Sequence, residues 1–223
     1  SIFRPLRHPA HAARAAASAD VLSHGRLLLG IASGDRPEEY PALGAEYESR
    51  GERFRASVDY IRAVGAAAPE FVGSYGHSLP GLEMLPRPAG AHLPLQVTGG
   101  SQQSNDWIAR HADGWILYPR GFAAQAERIR GFQARLKAYG RPPQPIMEPL
   151  YIDLADDPNT PPQPIHLGYR LGANALLEYL EASQAIGVNH VALNLRFQRG
   201  SVEAALESLA RAVLPAFAAQ GVS

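Results

Sequence analysis

The sequence predicts an α/β fold built on a parallel sheet, and three observations carry that reading. Short runs rich in Ile, Leu and Val alternate with longer stretches of helical period. Runs such as LLLGIA are apolar on consecutive residues, as strands buried on both faces are. Glycine (21) and proline (19) together exceed the roughly 12% of an average chain without forming any low-complexity segment. That excess therefore sits in many short turns between many elements.

The elements follow in order. Residues 2–6 form the first strand, and the Ala-rich stretch 10–22 is a helix that Gly25 is placed to end. A second strand spans 27–32. The helix over 50–64 carries Phe54, Val58 and Ile61 at spacings of four and three. A third strand, LPLQVT, spans 93–98, and Ser101 can cap the helix that follows it to about Ala112. WILY, 115–118, is the fourth strand. The helix 122–139 shows Phe122, Ala126, Ile129 and Leu136 on one face, with Gly140 as its stop. Residues 146–154 form the fifth strand, 173–186 a helix ended by Gly187, and 188–195 the sixth strand. Ser201 can cap a last helix with the stripe Val202, Leu206, Leu209, Val213.

Six β–α units in succession imply helical crossovers and a parallel sheet. Two architectures share this pattern: a doubly wound open sheet and a (β/α)8 barrel. At roughly 37 residues per unit a full barrel needs about 300 residues. Six strands in 223 residues thus make either a barrel short of two units or an open sheet. The chain also opens abruptly on SIFRPL, which reads as a strand already in progress, so the sequence reads as a fragment or as a protein whose earlier part is absent.

Composition narrows the function. The chain has no cysteine, which excludes disulfides, thiolate metal sites and a cysteine nucleophile. Twenty-one basic residues balance 21 acidic ones, which argues against nucleic acid or an anionic membrane as the main partner. No apolar run approaches the roughly 20 residues that a bilayer requires.

In either architecture ligands bind beyond the carboxyl ends of the strands, and small polar residues collect there. Arg7 and His8 follow the first strand; Ser33, Gly34, Asp35 and Arg36 the second; Gly99, Gly100, Ser101 and Ser104 the third. Tyr118 and Arg120 close the fourth, Asp153 the fifth, Asn194 and Arg196 the sixth. TGGSQQS is the most interpretable piece. Two glycines let backbone approach a ligand, and a serine-opened helix offers unpaired N–H groups that suit a phosphate. The same residues also make an ordinary tight turn with a serine cap. Arg120 is a second phosphate candidate. Neither GxxxxGK[ST] nor GxGxxG occurs. His8 and His11 could pair on a metal, but no other run shows matching ligand spacing. Two long stretches, 66–93 and 153–172, break the rhythm, and the second is assigned to function because it leaves a strand end.

The N-terminal block, with His8-Pro9, Leu22-Ser23-His24-Gly25-Arg26, Leu29 to Gly34 (LGIASG) and Glu39-Tyr40, resembles the bacterial luciferase-like family of flavin- or deazaflavin-dependent (β/α)8 enzymes. PLQVTGGS and ADGWILYPR resemble that family's fifth and sixth strands, and GVNHVALNLRF its eighth. Within the family the luciferase-type oxidoreductases share the GDRPEEYPA and YPR stretches. The resemblance implies an α/β TIM barrel with about six of eight β–α units present, a single domain over 1–223, and a first strand here that is the barrel's third. It implies a flavin mononucleotide (FMN) phosphate at Gly99, Gly100, Ser101 and Ser104, with Ser33 and Gly34 nearby and Tyr118 and Arg120 flanking the phosphate or ribityl chain. A deazaflavin coenzyme is the alternative. His8 falls where related enzymes place a histidine beside the flavin, as a catalytic residue.

The implied activity is a cytoplasmic flavin-dependent oxidoreductase or monooxygenase. It would use reduced FMN from a separate flavin reductase, dioxygen and a small-molecule substrate, as a homodimer. Two alternatives stand beside it: a luciferase-like flavin-binding protein without turnover, and a metal-dependent hydrolase using His8 and His11.

Overall fold

The computed structural model describes residues 2–3 and 7–217, and the statements below concern those residues. Strand and helix alternate as β1 (Ile2–Phe3), α1 (Pro9–Leu22), β2 (Leu29–Ile31), α2 (Glu39–Ala42), α3 (Arg50–Val64), β3 (Val72–Gly73), β4 (Gly76–His77), β5 (Leu95–Thr98), α4 (Asn105–His111), β6 (Gly114–Ile116), α5 (Phe122–Ala138), β7 (Ile146–Leu154), β8 (Gln163–Ile165), β9 (Gly168–Leu171), α6 (Ala173–Ala185), β10 (His190–Asn194) and α7 (Val202–Ala212). A 3-10 turn at Leu214–Ala216 follows. The fold is α/β with a mostly parallel sheet and helical crossovers, the class expected of a partial (β/α)8 barrel. The chain divides into two compact units, Ser1–Trp115 and Ile116–Ser223.

In the first unit the strand order is β1-β2-β5-β6. β2 lies parallel to β1 and to β5, with Gly30 opposite Ile2 and Gln96 opposite Gly30. All four residues of β5 are buried. The Ala-rich face of α1 buries Ala13, Ala16 and Ala17, where small side chains let it pack closely on α3. Helix α3 covers the expected range and buries Phe54, Val58 and Ile61. Only β1 of the expected strand 2–6 is described; residues 4–6 lie outside the described residues.

The sequence expectation that Ser101 opens the next helix is corrected. Ser104 is the cap, accepting the Trp107 N–H at 3.1 Å from an extended backbone, and α4 starts at Asn105. Gly99 (φ 59°), Ser101 (φ 46°) and Gln102 (φ 59°) are left-handed. A helix cannot begin through that backbone, so its start moves three residues on. The fourth strand is likewise one residue early and short, so Tyr118 stands beyond it. The stretch 66–93 contains the small β3–β4 hairpin.

In the second unit β7 is the central strand. β10 runs parallel to it with Asn194 opposite Tyr151, and β9 runs parallel to its last residues, Tyr151 to Leu154. β8 returns antiparallel on β9. The expected irregular stretch 153–172 is therefore an ordered hairpin that widens the sheet. Its proline content misleads because Pro164 sits on β8, which is bonded only to β9 and tolerates a missing N–H. Gly168 makes the docking possible. A Cβ there would stand inside the van der Waals envelope of the Tyr151 carbonyl. The even-numbered residues of β7 pack Leu150, Ile152 and Leu154 with Leu176, Leu180 and Leu209 of α6 and α7.

Glu148, on that same face, is buried. It accepts hydrogen bonds from Tyr179 Oη (2.7 Å) and Gln125 Nε2 (2.8 Å). Burial raises its carboxyl above the ordinary glutamate value, and these two bonds offset part of the rise. Among the described residues no helix is long and apolar enough to cross a membrane.

Two outcomes follow. The neutral form of Glu148 is favoured by folding, so its contribution is fully present below the ordinary glutamate range. It is lost as pH rises through the raised folded value. Glu148→Gln should flatten that decline in a pH series of urea midpoints; an unchanged profile would remove Glu148 as its source. Gly168→Ala forces backbone apart at β7, and overpacking of this kind costs about 2 kcal/mol. Calorimetry should show a melting temperature lower by about 4–8 °C.

Candidate functional site

The first unit brings together most of the residues singled out in the sequence. At the end of β5 the Ser101 hydroxyl donates to the Thr98 carbonyl at 2.7 Å and accepts the Ser33 N–H at 3.4 Å. The end of β2 is thereby tied to the end of β5. Ser33 is buried, and its carbonyl accepts the Tyr40 hydroxyl at 2.5 Å. Tyr40 comes from α2, an element with no periodic signal, and is itself 1% exposed. Gly34, next in line, is left-handed (φ 87°).

The turn is pinned from three directions. Trp115 Nε1 donates to the Gly99 carbonyl at 2.6 Å. Gln103 Nε2 donates to the carbonyls of Gly51 (2.9 Å) and Ser101 (3.0 Å), and Arg55 donates to its Oε1 at 3.0 Å. Gln103 and Trp115 were not predicted as site residues. The glutamine pair in TGGSQQS was the only available signal, and it did not say which member faces α3.

What this corner can hold is set by what remains unpaired. The backbone N–H groups of Gly100, Ser101 and Gln102 donate to no acceptor among the described residues. Consecutive N–H groups near left-handed backbone form an anion-binding concavity. Among the described residues, apart from its chain neighbours, no atom lies within 4 Å of where a Gly100 Cβ would stand, so the approach is open. The Thr98 hydroxyl is buried without a partner. Ser104 Oγ acts as an acceptor in its cap, which leaves its proton available. The Ser101 proton, in contrast, is already engaged on Thr98. The donor set therefore fits a phosphate through backbone and Ser104, with Ser101 acting as the tie that shapes the turn.

His8 sits elsewhere in this unit. It caps α1, its Nδ1 accepting the Ala10 N–H at 3.2 Å, while Nε2 meets the Tyr75 carbonyl at 3.1 Å. With Nδ1 accepting, Nε2 is the nitrogen that faces an acceptor and can donate to it. The ring packs edge-on against Tyr60 (5.3 Å) and Tyr75 (5.4 Å), and His11 lies 6.4 Å away. Both ring nitrogens are engaged, so neither is aimed at a metal. Among the described residues no group of three or more His, Asp or Glu converges as metal ligands.

Tyr118 and Arg120 belong to the second unit. The Tyr118 carbonyl accepts Gln125 Nε2 at 3.5 Å, and its side chain is exposed. Arg120 is exposed. Arg128 is held below the ordinary guanidinium value, by burial first and by the charge of Arg120 second.

Comparison with known proteins adds the family. The luciferase-like monooxygenase family matches residues 2–155. The F420-dependent hydroxymycolic acid dehydrogenase of Mycobacterium tuberculosis (strain ATCC 25618 / H37Rv) is 32% identical over 155 residues, 67% of this chain and 42% of that protein. The chain spans less than half the length of the curated relatives it matches, 43% and 42% for two from M. tuberculosis. Among solved structures, the monooxygenase RslO1 from Streptomyces bottropensis superposes with a TM-score of 0.81 at 17% identity, over 97% of this chain and 77% of that one. A riboflavin lyase (RcaE), solved with modified FMN and substrate riboflavin, gives 0.76 at 16% identity, over 100% of this chain and 70% of that one. At these identities the superpositions show the fold. The family match runs unbroken from β1 to the end of β7, through His8, the β2 end and the glycine–serine corner, and by it the chain belongs to the luciferase-like monooxygenases.

Proposed function

We propose that this chain is part of a flavin-dependent oxidoreductase or monooxygenase whose FMN phosphate rests on the Gly99–Ser104 corner. The observation that carries the reading is the open space over Gly100, lined by unpaired backbone N–H groups. A bound reduced flavin supplies the electrons, to dioxygen or to a small organic substrate. The residues of this chain bind, orient and shield it. Backbone N–H groups of Gly100, Ser101 and Gln102 and the Ser104 hydroxyl would hold the phosphate. Ser33, Gly34 and Tyr40 would keep the neighbouring strand end fixed against the Ser101 tie. His8, its ring held by Ala10 and Tyr75, would present a ring edge beside the flavin as a positioning group. Tyr118 and Arg120 are assigned to the same cofactor on the family resemblance alone, as are the homodimer and the separate reductase.

A deazaflavin coenzyme is the second reading, favoured by the F420-dependent relative from M. tuberculosis. The metal-dependent hydrolase is disfavoured by the engagement of both His8 nitrogens.

Calorimetric titration with FMN, riboflavin and coenzyme F420 tests the proposal. FMN should bind at least about tenfold more tightly than riboflavin, which lacks the phosphate. Gly100→Ala places a methyl group in open space, so it should leave the melting temperature unchanged while weakening FMN about tenfold or more. Equal affinity for FMN and riboflavin would move the phosphate elsewhere. Binding of F420 alone would replace FMN by the deazaflavin.

A further inference from the structure

The carboxyl end of β7 carries a second set of groups, distinct from the residues proposed to hold the cofactor. Side chains alternate along a strand. Glu148, Leu150, Ile152 and Leu154 face the helices, so Tyr151 and Asp153 lie on the opposite face. Tyr151 stands opposite Asn194 of β10, and two residues past that strand end comes Arg196, then Phe197. The rings of Tyr151 and Phe197 are 5.2 Å apart, and His166, from the turn of the β8–β9 hairpin, lies 6.0 Å from the first and 6.2 Å from the second. Gly168 allows that hairpin to press onto the Tyr151 backbone, where the Tyr151 N–H donates to the Leu167 carbonyl at 3.1 Å. Phe197 remains 39% exposed, and His166 is exposed as well.

Three arginines come from β9 and from the segment after β10, and they differ in what they hold. Arg170 (2.8 Å) and Arg199 (3.1 Å) are both committed to the buried Asp153 carboxylate. The Arg196 guanidinium lies 5.9 Å from the Phe197 ring and has no acceptor among the described residues. An exposed triangle of rings offers faces and edges to a flat π-system. A guanidinium beside it offers a planar fork for a carboxylate. With Arg196 the uncommitted guanidinium of the three among the described residues, the match is to a single negative charge rather than to a dianionic phosphate.

We propose that Tyr151, His166, Phe197 and Arg196 form a subsite for a planar aromatic carboxylate, stacked on the rings with its carboxylate on Arg196. Calling that ligand the substrate rests on the oxidoreductase reading; the binding itself does not require flavin.

The test is fluorescence titration of the whole chain with 2-naphthoate and with the neutral 2-naphthalenemethanol, each with and without FMN. Naphthoate should bind about tenfold more tightly than the alcohol, the difference a charge-assisted pair makes. Arg196→Ala should abolish that preference by weakening naphthoate alone, and Arg196→Lys should restore part of it. Phe197→Ala should weaken both ligands. These side chains are exposed, so the variants should keep the wild-type melting temperature. Equal binding of acid and alcohol, an unchanged Arg196→Ala, or no naphthoate binding in either condition overturns the subsite. FMN binding without naphthoate binding leaves the cofactor proposal standing alone; naphthoate binding without flavin binding leaves the subsite standing alone.

Discussion

One hydroxyl group joins the two strand ends on which the first unit depends. Ser101 Oγ gives its proton to the Thr98 carbonyl and takes the Ser33 N–H, so the ends of β2 and β5 are held in one arrangement. Around it, left-handed residues at Gly99, Ser101 and Gln102 keep the following N–H groups from entering a helix. Non-glycine residues adopt that conformation at a cost of about 1 kcal/mol each. Trp115, Gln103 and Arg55 supply the hydrogen bonds that hold it. Among the described residues the N–H groups of Gly100, Ser101 and Gln102 meet no acceptor, which is why the proposed phosphate is assigned to this corner rather than to a helix terminus.

The elements most readable in the sequence are those governed by periodicity. Helix α3 and strand β7 coincide with their expected ranges because Phe54, Val58 and Ile61 repeat at helical spacing and because β7 places Ile146, Leu150, Ile152 and Leu154 on one face at a period of two. Ser201 caps α7 as its position suggested, accepting the Ala204 N–H. Features set by tertiary contact were not readable. The role of Ser101 turned on a hydroxyl 68 residues from its partner Ser33. The β8–β9 hairpin turned on a single close approach at Gly168, surrounded by prolines that suggest irregular chain. The sequence brought Ser33, the glycines and Ser104 into one list from their shared place after strand ends. It could not tell a hydroxyl whose proton stays available, Ser104, from one that braces the turn, Ser101.

Strand β7 shows how one element serves two environments. Its helix-side carboxylate, Glu148, meets only the neutral donors Tyr179 and Gln125, so desolvation governs it. Its other carboxylate, Asp153, is equally buried yet meets two guanidiniums and the Arg199 N–H. The first lies among the leucines of the helix layer and the second anchors the loops at the strand end. Alternation alone separates them.

Gly168 and Gly172 bracket β9, and each is pressed against backbone, that of Tyr151 and Pro158 respectively. The connection from β7 to α6 is therefore seated on the sheet at Gly168 and folded back on itself at Gly172, while its outer strand, β8, pairs with β9. The hairpin thus keeps its place through a single notch on β7, and a side chain at position 168 would unseat the whole excursion, whereas the outward edge of β8 carries no such constraint.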